Sequence, residues 1–324
     1  MGEDNEQLKD FIVHLSKKVS GVGSTTAGAI ASYFDSLDSF LTSTEEELSN
    51  IKNIRGNQIL NREQINELHG VISSLPRDKK VRELWVSVLV GDFVESAEEN
   101  INSIHFDNLQ LNPLLVRALD MRSADQVLEF FLYQSVSRSV VTSWGMRVQE
   151  ILIRSGAEPI REGDPGGFDI KKGIDNVVNY IQIKSGTNTM NVDMIRYLNQ
   201  KIEELESQHP NAKGILGLTY GTRDQVSGQI MGNLDDPVLR LKVGEELWDL
   251  ISGEKGYFFK VLEILAEASH QKLERSFSEL IESKYNEIKQ EWERKYGGFS
   301  KDSVDHFLSD YLGITKKEVE QLDE

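Results

Sequence analysis

"GDPGGFDIKKGIDNVVNYIQIKSGTNTMN", residues 163–191, reads as a strand, a turn, a second strand and a polar loop. The glycines at 166 and 167 lead into a strand over 167–172. A turn follows at 173–176, and a returning strand covers 177–184. Side chains alternate along a strand, so Gln182 and Lys184 share one face while Ile181 and Ile183 share the other. A lysine at the end of an otherwise apolar strand needs a partner or a task, because an unpaired ammonium is costly to bury. If the two strands pair, Asp169 meets Gln182 and Lys184 at one end of the sheet.

Working outward, a helix at about 140–154 and a strand near 158–161 precede this hairpin. A helix at 191–207 and a strand at 213–220 follow it. "VGEELWDLISG" then makes a helix closed by Gly253. Two strands followed by a helix and a strand is an α/β pattern around one mixed sheet flanked by helices.

A carboxylate, an amide oxygen and an ammonium converging on one point suit phosphodiester hydrolysis. That reaction needs a charge-neutralising metal, an activated water and in-line geometry. Mg2+ takes hard oxygen ligands and keeps several waters, so one or two carboxylates suffice. Asp169 is the expected principal ligand, beside the amide oxygen of Gln182 or the carbonyl of Ile183. Lys184 would polarise the attacking water or steady the scissile phosphate. Asp164 and Asp175 fit turn formation better than metal binding, and Asp193 suits the start of a helix. Beyond Lys184, the short polar side chains of Ser185, Thr187, Asn188, Thr189 and Asn191 suit contacts to phosphates and base edges. Their alternative is a helix-capping loop, with the cap at Asn188 or Thr189. Arg196, Lys201 and Arg223 are weaker candidates for phosphate contact.

Asp169 followed after a hairpin by Gln182-Ile183-Lys184 resembles the PD-(D/E)xK nuclease superfamily in its D…QxK variant. "GGFD" stands where that family has proline before the aspartate, and Gln182 replaces the usual acid, as in Mrr-like nucleases and some restriction enzymes. Members often carry a glutamate near the metal on the preceding helix, and Glu150 occupies the matching position. There Trp144, Val148, Ile151 and Leu152 form the apolar face, opposite Arg147, Glu150 and Arg154. The alternative for Glu150 is a surface ion-pair set with those arginines, worth little.

The first 75 residues read as helix, turn, helix, twice over. Gly21-Val22-Gly23, running into Ser24 and Thr25, gives one hairpin, and Asn53-Ile54-Arg55-Gly56 ends a helix that Thr44 and Glu47 cap. The repeat resembles the tandem helix-hairpin-helix domain, with Asn53 and Arg55 in place of the second pair of glycines. In that family, backbone N–H groups at the hairpin approach DNA phosphates, a contact favoured by the helix dipole.

The 324 residues imply more than one domain. The reading divides them into the N-terminal hairpins (1–75), a helical connecting region (76–135), the α/β core (136–253) and a helical C-terminal region (254–324). In the last, Leu273, Phe277, Leu280, Ile281, Tyr285, Ile288 and Trp292 make an apolar stripe, read as internal packing or a dimer interface. There is no cysteine, which removes disulfides and thiolate chemistry. The histidines stand apart without ligand spacing, and no phosphate-binding glycine loop is present. The net charge of −17 excludes a protein that coats nucleic acid by bulk charge, so DNA contact must rest on few cations, backbone amides and metal ions. The acidic N-terminus lacks a signal-peptide core, and no run of apolar residues is long enough to span a membrane, which leads us to expect a prokaryotic cytoplasmic protein.

The combination resembles a type II restriction endonuclease. That resemblance implies Mg2+-dependent, site-specific cleavage of both strands of double-stranded DNA by a homodimer, with a cognate DNA methyltransferase as functional partner. The alternatives are a modification-dependent or repair nuclease, and a DNA-binding module without catalysis.

Overall fold

A computed structural model describes residues 2–272 and 275–321; Leu273 of the apolar stripe lies outside the described residues. The strands are β1 (Glu158–Pro159), β2 (Ile170–Ile174), β3 (Val177–Lys184), β4 (Ala212–Leu218) and β5 (Leu241–Val243). They lie side by side in that order, antiparallel from β1 to β3 and parallel from β3 to β5. The result is the mixed sheet expected of a restriction-endonuclease-like core. The β2–β3 turn falls at Asp175–Asn176, whose φ angles of 47° and 64° are both left-handed. Two such residues make a type I′ turn, whose twist matches the paired strands, and Asp and Asn tolerate it better than other side chains.

In chain order the helices are α1 (Gly2–Ser16), α2 (Ser24–Tyr33), α3 (Leu37–Leu41), α4 (Glu45–Ser49), α5 (Arg62–Ser73), α6 (Val81–Asn102), α7 (Pro113–Ala118) and α8 (Ala124–Arg154). After them come α9 (Val192–Gln208), α10 (Gly228–Asn233), α11 (Pro237–Arg240), α12 (Glu245–Ser252), α13 (Tyr257–Lys272), α14 (Phe277–Tyr296), α15 (Lys301–Leu312) and α16 (Lys316–Gln321). The helix expected at 140–154 starts at Ala124, because buried Val127, Leu128, Phe131, Leu132 and Val136 extend its apolar face upstream. No helix among the described residues is long and apolar enough to cross a membrane.

Where the sequence reads as four consecutive segments, close contacts group the chain into two compact units. The first comprises Met1–Leu89 and Val148–Glu267 and holds the sheet. On one face of the sheet, Ile195, Leu198, Ile202 and Leu205 of α9 pack with Tyr180, Ala212, Leu216 and Leu218. Each such buried aliphatic side chain contributes about 1.5–3 kcal/mol. The helix lies so close that a Cβ on Gly214 would sit 2.4 Å from Cγ1 of Ile202. Gly217, facing the other way, packs against Leu247 of α12 and against Ile181 and Ile183.

At the N-terminus the first hairpin forms as read, with Gly21 left-handed at φ 76° and Gly23 starting α2. The second does not. The helix capped by Thr44 and Glu47 ends at Ser49, and Asn53–Gly56 falls in a loop closed by a bridge between Lys52 and Gln58. Asn53 turns the chain itself, its Oδ1 accepting the N–H groups of Arg55 and Asn57, in competition with helix.

The second unit comprises Val90–Arg147 and Ala268–Glu324. Its core joins Phe106, Val116, Leu128 and Phe131 to Leu308, Phe307, Ile288 and Trp292. Trp292 is fully buried, edge-to-face with Phe106, and donates its indole N–H to the Gly298 carbonyl. The stripe on α14 is therefore consumed within the chain.

Candidate active site

The ladder between β2 and β3 stops short of Asp169 for a chemical reason. Asp169 still donates its N–H to the Ile181 carbonyl, at 3.0 Å. The next N–H of β3, that of Ile183, goes to the Asp169 side chain, with Oδ2 accepting at 2.7 Å. Gln182 Nε2 donates to the same oxygen at 2.6 Å. The expected strand at 167–172 thus becomes a regular strand from Ile170, with Asp169 held across its end. Asp169, Gln182 and Ile183 are brought together, all half-buried. The amide of Gln182 presents its NH2 group, not its oxygen, to the carboxylate.

Lys184 follows two residues after Gln182 on the same face, half-buried, with its carbonyl bonded to the Thr219 N–H at 3.0 Å. α8 reaches the site through Gln149, whose Nε2 donates to the Asp169 carbonyl at 3.1 Å. Glu150 is the next residue, half-buried on that helix. Of the two arginines read as its alternative partners, Arg147 and Arg154, the second bonds Asp10 at 3.0 Å and stacks on the Trp85 ring at 4.0 Å.

Two residues after Asp169, Lys171 donates from Nζ to both Asp164 oxygens at 2.9 Å, and Asp164 also accepts the Arg161 N–H at 2.7 Å. Lys171 holds the Asp164 carboxyl below the usual carboxylate range, and Asp164 in turn raises the Lys171 ammonium. Burial pushes the neighbouring Tyr180 phenol up. Lys171 fastens Asp164 to β2, and the hydrogen bonds between Asp164 and the Arg161 backbone close a turn.

The loop after Lys184 is built by its own polar groups. Thr189 Oγ1 donates to the Gly186 carbonyl at 2.8 Å. Ser185 accepts from Thr219 Oγ1 at 3.2 Å, and the Thr187 carbonyl accepts the Ser227 N–H at 2.9 Å. The cap of α9 is Asn191, which accepts the Met194 N–H, and neither Asn188 nor Thr189 fills that role. Asn188 and Thr189 are exposed. The nearby cations are paired: Arg196 with Asp193 at 3.4 Å, Lys201 with Glu204 at 2.8 Å, and Arg223 with both oxygens of Glu246 at 2.8 Å. Arg223 also donates to the carbonyls of Leu241 and Pro237, so it braces β5.

The N-terminal candidates form no hydrogen bond to this site among the described residues. Gly21, Val22, Gly23, Ser24 and Thr25 lie at the first hairpin, where the Ser20 N–H is taken by Glu67 at 3.2 Å. Arg55 and Gly56 sit in the exposed turn of the loop after α4. Sequence reasoning missed Gln149 and Thr219. Neither has a marker in a single sequence: Gln149 looks like any polar residue flanking a buried helix face.

The arrangement is a half-buried carboxylate clamped at a strand end, with a lysine next along the same face. No group of three or more acidic, histidine or cysteine side chains that could hold a metal is present among the described residues. No curated protein matches the chain. The family model of the type II restriction endonuclease EcoO109I matches residues 80–272, more than half of the chain and all of the sheet, and the chain therefore belongs to that restriction endonuclease family.

Proposed function

We propose that the chain is a Mg2+-dependent, site-specific endonuclease that cuts both strands of double-stranded DNA, acting through a PD-(D/E)xK-like site in its D…QxK form. The observation that carries this reading is Asp169, clamped to Gln182 and Ile183 at the end of β3 with Lys184 beside them, inside the segment that matches the family.

The donor set fits a hard divalent ion. Asp169 Oδ2 already receives two N–H groups, which leaves Oδ1 for a cation. The Ile183 carbonyl leaves β3 by the same edge as its N–H, towards Asp169. The Gln182 amide would offer its oxygen after turning over. One carboxylate, one carbonyl and one amide suit Mg2+, which keeps several waters, better than a transition metal. When bound, the ion neutralises phosphate charge and lowers the pKa of the attacking water. Gln149 fixes the main chain of Asp169, and Lys184 holds the water or the scissile phosphate. Glu150 stands as an outer contributor from α8.

The remaining parts of the reading follow from the same reaction. Residues 1–75 would grip the DNA backbone in the manner of helix-hairpin-helix domains, with the open start of α2 at Gly23, Ser24 and Thr25 facing a phosphate. A homodimer would place one active site on each strand, using surface other than the α14 stripe. A cognate methyltransferase would protect the host DNA. A second reading, a modification-dependent or repair nuclease, is favoured by Gln182, the residue shared with Mrr-like enzymes.

Incubation with unmethylated phage DNA, with Mg2+ and with EDTA, beside Asp169→Ala, tests this. Discrete fragments that require both Mg2+ and Asp169 are expected. Cleavage confined to methylated or branched DNA would select the second reading, and intact DNA throughout would leave a binding module.

A further inference from the structure

The rim of this site carries an exposed aromatic residue that the reaction scheme above does not use. Tyr220 stands two residues past the end of β4 and is 55% exposed. Its backbone mount is unusually well fixed. The preceding residue, Thr219, is buried and bonded through three groups: its N–H to the Lys184 carbonyl at 3.0 Å, its Oγ1 to the Ser185 carbonyl at 3.2 Å, and its own carbonyl to the Trp248 indole at 2.9 Å.

The ring itself lies over Gly186, two residues past Lys184. A Cβ on Gly186 would sit 2.6 Å from the Tyr220 hydroxyl oxygen and 3.1 Å from Cζ. On the other side, Gly221 is left-handed at φ 99°, and a Cβ there would meet Thr187 Cγ2 at 2.5 Å. Two loops thus interlock, glycine against side chain, and hold a phenol at the edge of the site. Its hydroxyl has no hydrogen-bond partner among the described residues. A side chain held this firmly, yet exposed and unbonded, is prepared for something outside the chain.

The charge around it says what. Arg196, Lys201, Arg223 and Lys171 are each paired with a carboxylate of the same chain. A chain of net charge −17 therefore offers a polyanion few free cations at this rim. Neutral donors must supply what the cations do not, and tyrosine hydroxyls are established phosphate ligands. Resting on the nuclease reading, we infer that Tyr220 is a DNA-contacting positioning residue, its hydroxyl donating to a backbone phosphate that flanks the scissile one.

A neutral donor releases no counterion, whereas each Lys or Arg contact to a phosphate contributes about 0.9 to the salt slope. Tyr220→Phe should therefore weaken binding by about tenfold, the loss of one hydrogen bond to a charged acceptor. The slope of log K against log salt should not change, and neither should the melting temperature.

The decisive experiment uses a duplex carrying a cleavage site mapped on unmethylated phage DNA. Binding is read with Ca2+ in place of Mg2+, and single methylphosphonates are placed along both strands. Wild type is expected to lose affinity at a phosphate near the scissile bond where Tyr220→Phe loses nothing further. If Tyr220→Phe binds as wild type does, or responds to every methylphosphonate as wild type does, the assignment is overturned. If the wild-type chain cuts no DNA at all, the nuclease reading falls first and this inference with it.

Discussion

Asp169 carries two duties, and a substitution can separate them. Its carboxylate is the candidate metal ligand and also the acceptor for the N–H groups of Gln182 and Ile183. Asp169→Asn keeps an oxygen for the Ile183 N–H but loses the charge. We expect it to abolish detectable cleavage while lowering stability by only about 1 kcal/mol, the net value of a single hydrogen bond. Plasmid cleavage and thermal denaturation, measured on the same preparation, check both halves. At this scale the alternation rule places Gln182 and Lys184 on one face and sets Asp169 opposite them. It does not say which end of the Gln182 amide faces Asp169, because that depends on the competing donor at Ile183. Nor does it find Gln149, whose contact is to main chain contributed by a segment twenty residues away.

A residue next to the site gives a pH signature. In the folded chain Asp164 is held below its ordinary pKa by Lys171, so it contributes stability above the unfolded carboxylate value of about 3.9 and loses it as pH falls through the folded value. Lys171 is raised, so its contribution is complete below the unfolded lysine value of about 10.4 and is lost as pH rises through the folded value. Lys171→Met removes both. Urea midpoints of wild type and variant should differ near neutrality and converge at the acid and alkaline ends. A constant difference across that range would show that the pair does not titrate with folding.

Elements meet at distances that only glycine allows. Gly214 admits α9 so closely that Gly214→Ala must push Ile202 away, and overpacking of this kind costs about 1–3 kcal/mol. A lowered melting temperature is expected, with cleavage retained below the transition, since Gly214 pairs with Tyr180, four residues along β3 from Lys184. The hairpin, α9, β4 and α12 with its Gly253 cap are all legible in the sequence, because each carries its own periodicity and punctuation. β5 is not, since three residues between two short helices show no period. The loop at 50–61 is misread as a helix end for a related reason: Asn53 replaces helical bonds with its own side chain, and composition does not reveal that choice.

At the scale of the whole molecule, the second unit draws its core from two segments separated in the sequence by the entire sheet. A linear reading cannot show that pairing, and for that reason the α14 stripe carries two meanings, interface or core. Ile288 is only 1% exposed, buried in the same core as Trp292 and the residues around Phe106 and Phe131. A side chain already removed from water in one chain gains little from a second copy. Ile288→Ala should therefore act on folding, destabilising by about 2–5 kcal/mol through the lost transfer energy and the cavity left behind. Sedimentation of the variant well below its melting temperature should give the same oligomeric state as wild type. A variant that stays folded but falls from dimer to monomer would return the stripe to the interface and require the core around Trp292 to be rearranged in the assembled protein.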